Sequence, residues 1–274
     1  MMKPFHLARL LRPTLFLFIG LLSIPGCSSE EKVIDDRPVE ELYGEAQRLM
    51  KEEDYNAAAK QFEEVERQHP YSAWATRAQL MTGYAFYEAM DYDSAIVALD
   101  QFVQIHPGHK DVAYAYYLAA LSEYERLADV RRDQSNAKNA LTRLQAVVNR
   151  FPDTAYAKDA QLKIALVNDH LAGAEMEVGR NYLKQKLYTA AVGRFRTVVE
   201  KYQTTSHVPE ALHRLVECYL ALGITEEAKA VAAVLGHNFP GSSWYENSYK
   251  LLVKENLAPE RSDKSWVSGL WDTL

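Results

Sequence analysis

The chain has 274 residues, with 31 lysines and arginines against 37 aspartates and glutamates and a formal charge of −6. An acidic chain without a basic run lacks the electrostatic footprint of a nucleic-acid binder, and lacks a polybasic membrane-binding face. Two cysteines, Cys27 and Cys218, leave little room for a disulfide framework.

Lys3, Arg9 and Arg12 precede an apolar run from Leu15 to Leu22, and Ile24-Pro25-Gly26-Cys27 follows it. A charged start, a short apolar stretch and a small residue before the cut describe a secretory signal over residues 1–26. The run is too short for a bilayer span of about 20 residues. With cysteine at the cut, the segment resembles a bacterial lipoprotein signal, although Ile24 and Pro25 depart from the preferred residues. That resemblance implies that Cys27 becomes an N-acylated, S-diacylglycerol-modified N-terminus. Several acyl chains give durable anchoring where one does not. In the sorting pattern of the lipoproteins it resembles, Asp at the second mature position retains the protein at the inner membrane, so Ser28 there implies the outer membrane, facing the periplasm. Residues 27–38 then form the lipidated N-terminus and a linker. Loss of residues 1–26 moves the formal charge to −9, and Cys218 is left without a partner in the chain. Its apolar neighbours Leu215, Val216 and Leu220 predict a buried small hydrophobe.

From residue 39 onward apolar residues recur at helical spacing, no segment shows strict alternation, and the body reads as all-α. The same residue types also recur in phase. The first unit places Leu42, Ala46, Leu49, Ala58, Phe62, Val65 and Pro70, and the second Gly83, Phe86, Ala95, Leu99, Phe102 and Pro107. The third shows Ala140, Leu144, Val147 and Pro152; the fourth, Gly179, Tyr182, Ala191, Phe195 and Val198; the fifth, Leu212, Val216, Tyr219, Ala228, Ala232, Leu235 and Pro240. This pattern is similar to the tetratricopeptide repeat. It predicts a solenoid of about five helix-turn-helix units, with an N-terminal half over 39–153, a C-terminal half over 154–250 and a tail over 251–274. Small residues let paired helices approach, large ones fill the space beside them, and proline ends the second helix. Ser72, Thr154 and Ser243 are expected caps, as is Asp91 with Asp93 in the turn of unit two. Units cannot bury their apolar faces alone and must stack. The 45 residues from Pro107 to Pro152, against 37 from Pro70 to Pro107, place an insertion in unit three around Asp129–Asn136. The longer interval that follows predicts one long helix over Tyr156–Lys186, with Gly173 and Gly179 as its weak points.

In such repeats the first helices line the concave face. The exposed register positions there fall on Tyr43 in unit one, Leu80, Tyr84 and Tyr87 in unit two, and Tyr114, Tyr117, Leu121 and Tyr124 in unit three. Tyrosine offers apolar area with a hydrogen-bonding tip and suits extended peptides. Tyr43, Tyr84, Tyr87, Tyr117 and Tyr124 are therefore the candidate groove, the alternative being that they pack between repeats. Concave positions of the C-terminal half include Met176, Arg180, Leu183, Glu210 and His213. Arg194 and Arg196 are candidate partner anchors or simply a solvated face. Trp266, Leu270 and Leu274 share a helical spacing, so the tail either forms a short amphipathic helix for a partner or frays.

No nucleophile elbow, phosphate-binding glycine loop or zinc helix is present. His106 and His109 flank a repeat turn without an evident third metal ligand. No catalytic, cofactor or metal site is expected, and the chain reads as a non-enzyme. The segments Gln68–Ala75, Asp100–Pro107, Tyr116–Leu121 and Arg150–Ala157, on five repeats behind a lipoprotein signal, resemble the BamD (ComL) family of outer membrane assembly lipoproteins. That resemblance implies a lipid-anchored subunit of the β-barrel assembly machine. It would bind unfolded outer membrane proteins and dock on the periplasmic domains of the barrel-forming subunit and on accessory lipoproteins. The alternative is a periplasmic repeat adaptor coordinating envelope synthesis or division.

Overall fold

The computed structural model describes residues 37–262 and 264–271. The signal segment and the lipidation call at Cys27 lie outside the described residues, as does Leu274. All regular structure among the described residues is helical. Ten helices pair as five hairpins: α1 (Val39–Lys51) with α2 (Tyr55–Gln68), α3 (Ala73–Glu88) with α4 (Tyr92–Ile105), α5 (Val112–Glu125) with α6 (Ser135–Arg150), α7 (Ala155–Lys184) with α8 (Tyr188–Lys201), and α9 (Val208–Ala221) with α10 (Thr225–Asn238). Helix α11 (Ser243–Lys254) closes the stack, and α12 (Ser268–Trp271) follows a stretch without helix. From α1 to α11 each helix packs on the next, α12 touches α10, and the first helices of hairpins one to four also touch in sequence, α1 on α3, α3 on α5 and α5 on α7.

The repeat residues act as their sizes require. Ala46, Ala58, Phe62, Leu99, Phe102, Leu144, Phe195, Leu212 and Leu235 are fully buried. Gly83 sits against Leu99, where a methyl group would lie 2.6 Å from Cγ, and Gly179 sits against Phe195, where it would lie 2.5 Å from the ring. Only a residue without a side chain admits that approach. Four hairpins share one turn: the first helix ends in a left-handed residue, Glu53, Met90, Lys186 or Gly223. The next amide reaches back five residues, as Asp91 N–H does to Phe86 O at 2.9 Å and Leu187 N–H to Tyr182 O at 3.0 Å. This closure satisfies carbonyls that the helix end would leave open.

Unit three departs from the pattern, as its length requires. Residues 126–134 join α5 to α6, where the other hairpins use three-residue turns. Helix α7 runs unbroken through Gly173 and Gly179 for 30 residues. Ser72, Asp91 and Thr154 accept hydrogen bonds from Ala75, Ser94 and Ala157 amides. The cap expected at Ser243 falls one residue earlier: Ser242 accepts from the Trp244 amide at 3.1 Å, and Ser243 is already helical.

Candidate functional site

Along the face built by the first helices, tyrosines form a continuous band. Tyr84 and Tyr87 stand one turn apart on α3 and are half-buried against the cluster of Leu99, Phe102 and Leu118, together with Tyr114 and Leu121 of α5. Tyr87 meets Tyr92 edge-on at 5.8 Å. Further along, Tyr156 in the first turn of α7 lies 5.6 Å from Tyr114 and 5.3 Å from Tyr117. The Tyr117 hydroxyl donates to Asp159. Lys163, one turn on, holds its ammonium 4.8 Å from the centre of the Tyr124 ring and 3.7 Å from Asp159. Tyr84, Tyr87, Tyr117 and Tyr124 therefore belong to one surface.

Tyr43 does not. It is 7% exposed, packed edge-on against Phe62 at 5.3 Å and tilted on Trp74 at 4.8 Å. Trp74 in the first turn of α3 covers it, and repeat register alone could not foresee that cover. The band instead includes Tyr92 and Tyr156, which register along first helices did not select. Tyr92 opens a second helix, and Tyr156 sits where α7 begins, just after a Pro-Asp-Thr turn that announced a helix start.

The hydroxyls of Tyr84, Tyr87, Tyr92, Tyr114 and Tyr117 are held neutral. Burial pushes Tyr87 up to about 12, with Glu125 adding to it. Burial likewise raises Tyr114 and Tyr117, the latter helped by its bond to Asp159. Tyr84 is raised first by Glu88 and then by burial. The band thus offers aromatic ring faces, with the Tyr117 O–H already committed to Asp159, and ring faces suit the aromatic side chains of an extended peptide.

The C-terminal half carries charge instead. Arg180 donates to Glu210 through two nitrogens at 2.9 and 2.6 Å. Burial pushes the Glu210 carboxyl up, but Arg180 and Arg214 outweigh it and the net shift is downward. Met176 and His213, expected on the open face, are buried: Met176 joins the core of α7–α10, and His213 shares a hydrogen bond with Ser248 at 2.8 Å and lies on Trp244. The closing helix α11 covers the position that register alone left open. Arg194 remains exposed, with Nη1 3.0 Å from Glu175. Arg196 is committed within the chain, 2.7 Å from Glu200 and stacked 4.2 Å over Trp266.

That stacking also fixes the tail. Trp266 Nε1 donates to the Tyr219 hydroxyl at 3.2 Å, Ser265 Oγ to Glu227 at 2.6 Å, and Val267 is fully buried. The tail is docked on the last hairpin, and Arg196 serves it. Cys218 is fully buried, and burial raises its thiol to about 12. His106 shares a hydrogen bond with Gln79 at 2.7 Å, and His109 faces Asp111. Among the described residues no group of three or more His, Cys, Asp or Glu side chains is arranged to hold a metal, and no helix is long and apolar enough to cross a membrane.

Comparison with known proteins places this architecture. Residues 35–235 match the family model described as YfiO, outer membrane lipoprotein. A protein of Caulobacter vibrioides is 50% identical over 241 residues, covering 86% of this chain and 79% of that one, and bears the name outer membrane protein assembly factor BamD. Proteins of the same name from Rickettsia prowazekii (45% identical, covering 86% and 94% of the two chains) and Neisseria meningitidis serogroup A (33%, covering 84% and 92%) are also similar. Among solved structures, a thermophilic tetratricopeptide protein of Thermus thermophilus superposes with a TM-score of 0.36 at 18% identity, covering 79% of this chain and 100% of that one. With the family model spanning most of the chain and half of all aligned residues shared with the Caulobacter protein, the chain belongs to the YfiO family of outer membrane lipoproteins.

Proposed function

We propose that this protein is a non-catalytic subunit of the machinery that assembles β-barrel proteins into the outer membrane, held at the periplasmic face by acylated Cys27. Family membership and the names of its relatives support the assembly role. The single observation that carries the division of labour is the band of tyrosines confined to hairpins two to four. It presents contiguous ring faces that suit the aromatic side chains of an extended client strand. In this reading Tyr84, Tyr87, Tyr117 and Tyr124 receive unfolded outer membrane proteins. The C-terminal repeats, with exposed Arg194, scaffold the periplasmic domains of the barrel-forming subunit, and accessory lipoproteins join the same assembly.

The test is gentle detergent extraction of the acylated full chain through a C-terminal tag, followed by mass spectrometry of what accompanies it. Recovery of a barrel protein with periplasmic repeat domains is the expected result. Recovery of division or cell-wall proteins alone overturns the reading in favour of a repeat adaptor.

A further inference from the structure

Two carboxylates beside the tyrosine band, Glu88 and Glu125, have no cationic partner among the described residues. Other carboxylates on these hairpins do have a cation, Asp93 with Arg126 at 2.7 Å, Asp100 with Arg143 at 2.8 Å and Asp159 with Lys163 at 3.7 Å, while Asp91, Asp129 and Asp133 accept local hydrogen bonds at turns and helix starts. Among the described residues no Lys, Arg or His nitrogen lies within 4.0 Å of Glu88 or Glu125. Glu88 follows Tyr84 by one turn of α3, and its carboxylate raises the Tyr84 hydroxyl. Tyr55, Tyr87, Tyr92 and Tyr114 all feel the negative charge of Glu88, and Tyr87 and Tyr92 that of Glu125 as well. Tyr87 and Tyr92 stand edge to face, so ring surface and carboxylate converge on one stretch of the band. Aromatic faces attract cations through their quadrupole, and an unpaired carboxylate beside them adds a full charge of the same sign.

We propose that the stretch formed by Tyr84, Tyr87 and Tyr92 with Glu88 and Glu125 is a subsite for a lysine or arginine side chain of an extended peptide, whose aromatic residues lie on Tyr114, Tyr117 and Tyr156. The inference rests on the client-binding reading above and adds to it a charge preference. Charge complementarity selects the occupant: two uncompensated negative charges repel an acidic segment and leave a neutral one without a partner. A long basic side chain also lays its methylenes along the rings while its head reaches the carboxylates. A metal ion fits less well, since the surrounding donors are phenol hydroxyls held in the neutral form.

The test uses the full chain in detergent and three fluorescent decapeptides of alternating aromatic pattern, identical except for lysine, norleucine or glutamate at one central polar position. Fluorescence anisotropy at low salt is expected to rank lysine about tenfold tighter than norleucine, with glutamate weakest. Glu88→Gln combined with Glu125→Gln is expected to bring lysine and norleucine within about twofold, with far-UV circular dichroism and the melting midpoint confirming the fold. Equal binding of all three peptides, weakened for all by Tyr84→Ala with Tyr87→Ala, overturns the basic subsite and leaves the groove standing. No binding of any peptide overturns the groove itself, and the subsite with it.

Discussion

The glycines of hairpin four allow the packing account to be tested by one substitution made twice. Gly179 and Gly193 are both helical, on α7 and α8, yet their surroundings are opposite. A methyl at 179 would lie 2.5 Å from Phe195 Cε1 and 2.9 Å from Cδ1, and Phe195 is fully buried in the α7–α10 core with nowhere to retreat. A methyl at 193 would meet nothing within 4 Å. Replacing glycine by alanine in a helix gains about 0.8–1 kcal/mol in propensity at either site. At 179 overpacking costs ~2–3 kcal/mol against that gain, a net loss of about 1–2 kcal/mol. For a chain of this size 1 kcal/mol moves the melting midpoint by about 2–4 °C. Gly179→Ala is thus expected to melt about 2–8 °C below the wild type and Gly193→Ala about 2–4 °C above it, followed by circular dichroism at 222 nm. A Gly179→Ala protein that melts at or above the wild type would refute the claim that the small repeat positions exist for close helix approach.

Three further expectations concern other parts of the fold. Cys218, fully buried with its thiol raised to about 12, is expected not to react with Ellman's reagent at pH 8 until the chain is unfolded in guanidinium; fast native reaction contradicts its place in the core. The sign of that shift also makes Cys218 stabilising below its unfolded pKa, a contribution lost as pH rises toward 12. Trp266→Ala removes the stacking on Arg196 and the bond to Tyr219, and should speed proteolytic cleavage within residues 255–265 about tenfold; an unchanged rate would mean the tail is held elsewhere. Glu123 is buried on α5, and its Oε2 has no hydrogen-bond partner. Glu123→Leu should be neutral or stabilising by up to ~1 kcal/mol in urea denaturation, whereas Arg143→Leu, which strips Asp100 and Glu123 of their shared cation, should cost about 2 kcal/mol.

The sequence carried most of the fold because repeat phase constrains several residues at once. Five hairpins, the insertion in the third and the long α7 all follow from where prolines and small residues recur. What it could not carry was cover from outside the register. Tyr43 occupies an open repeat position but is closed by Trp74, and Met176 and His213 are closed by neighbouring hairpins and α11. The left-handed turn residues Glu53, Met90 and Lys186 gave no signal, since none is glycine. The tyrosine band was half legible: Tyr84, Tyr87, Tyr117 and Tyr124 follow from register on first helices. Tyr92 and Tyr156 enter from turns, and Glu88 and Glu125 acquire meaning only once neighbouring helices place them beside those rings.

The proposed function assigns clients to the tyrosine band and the barrel-forming subunit to the C-terminal repeats. The most direct test is the affinity of a client C-terminal peptide for the wild type and for Tyr84→Ala with Tyr87→Ala, measured beside co-purification of the barrel subunit. Each buried tyrosine anchor is worth about 1 kcal/mol or more, so the double variant should bind the peptide at least about tenfold more weakly. Its recovery of the barrel subunit should match the wild type. Undiminished peptide binding, or loss of the barrel subunit from the variant, would contradict the account.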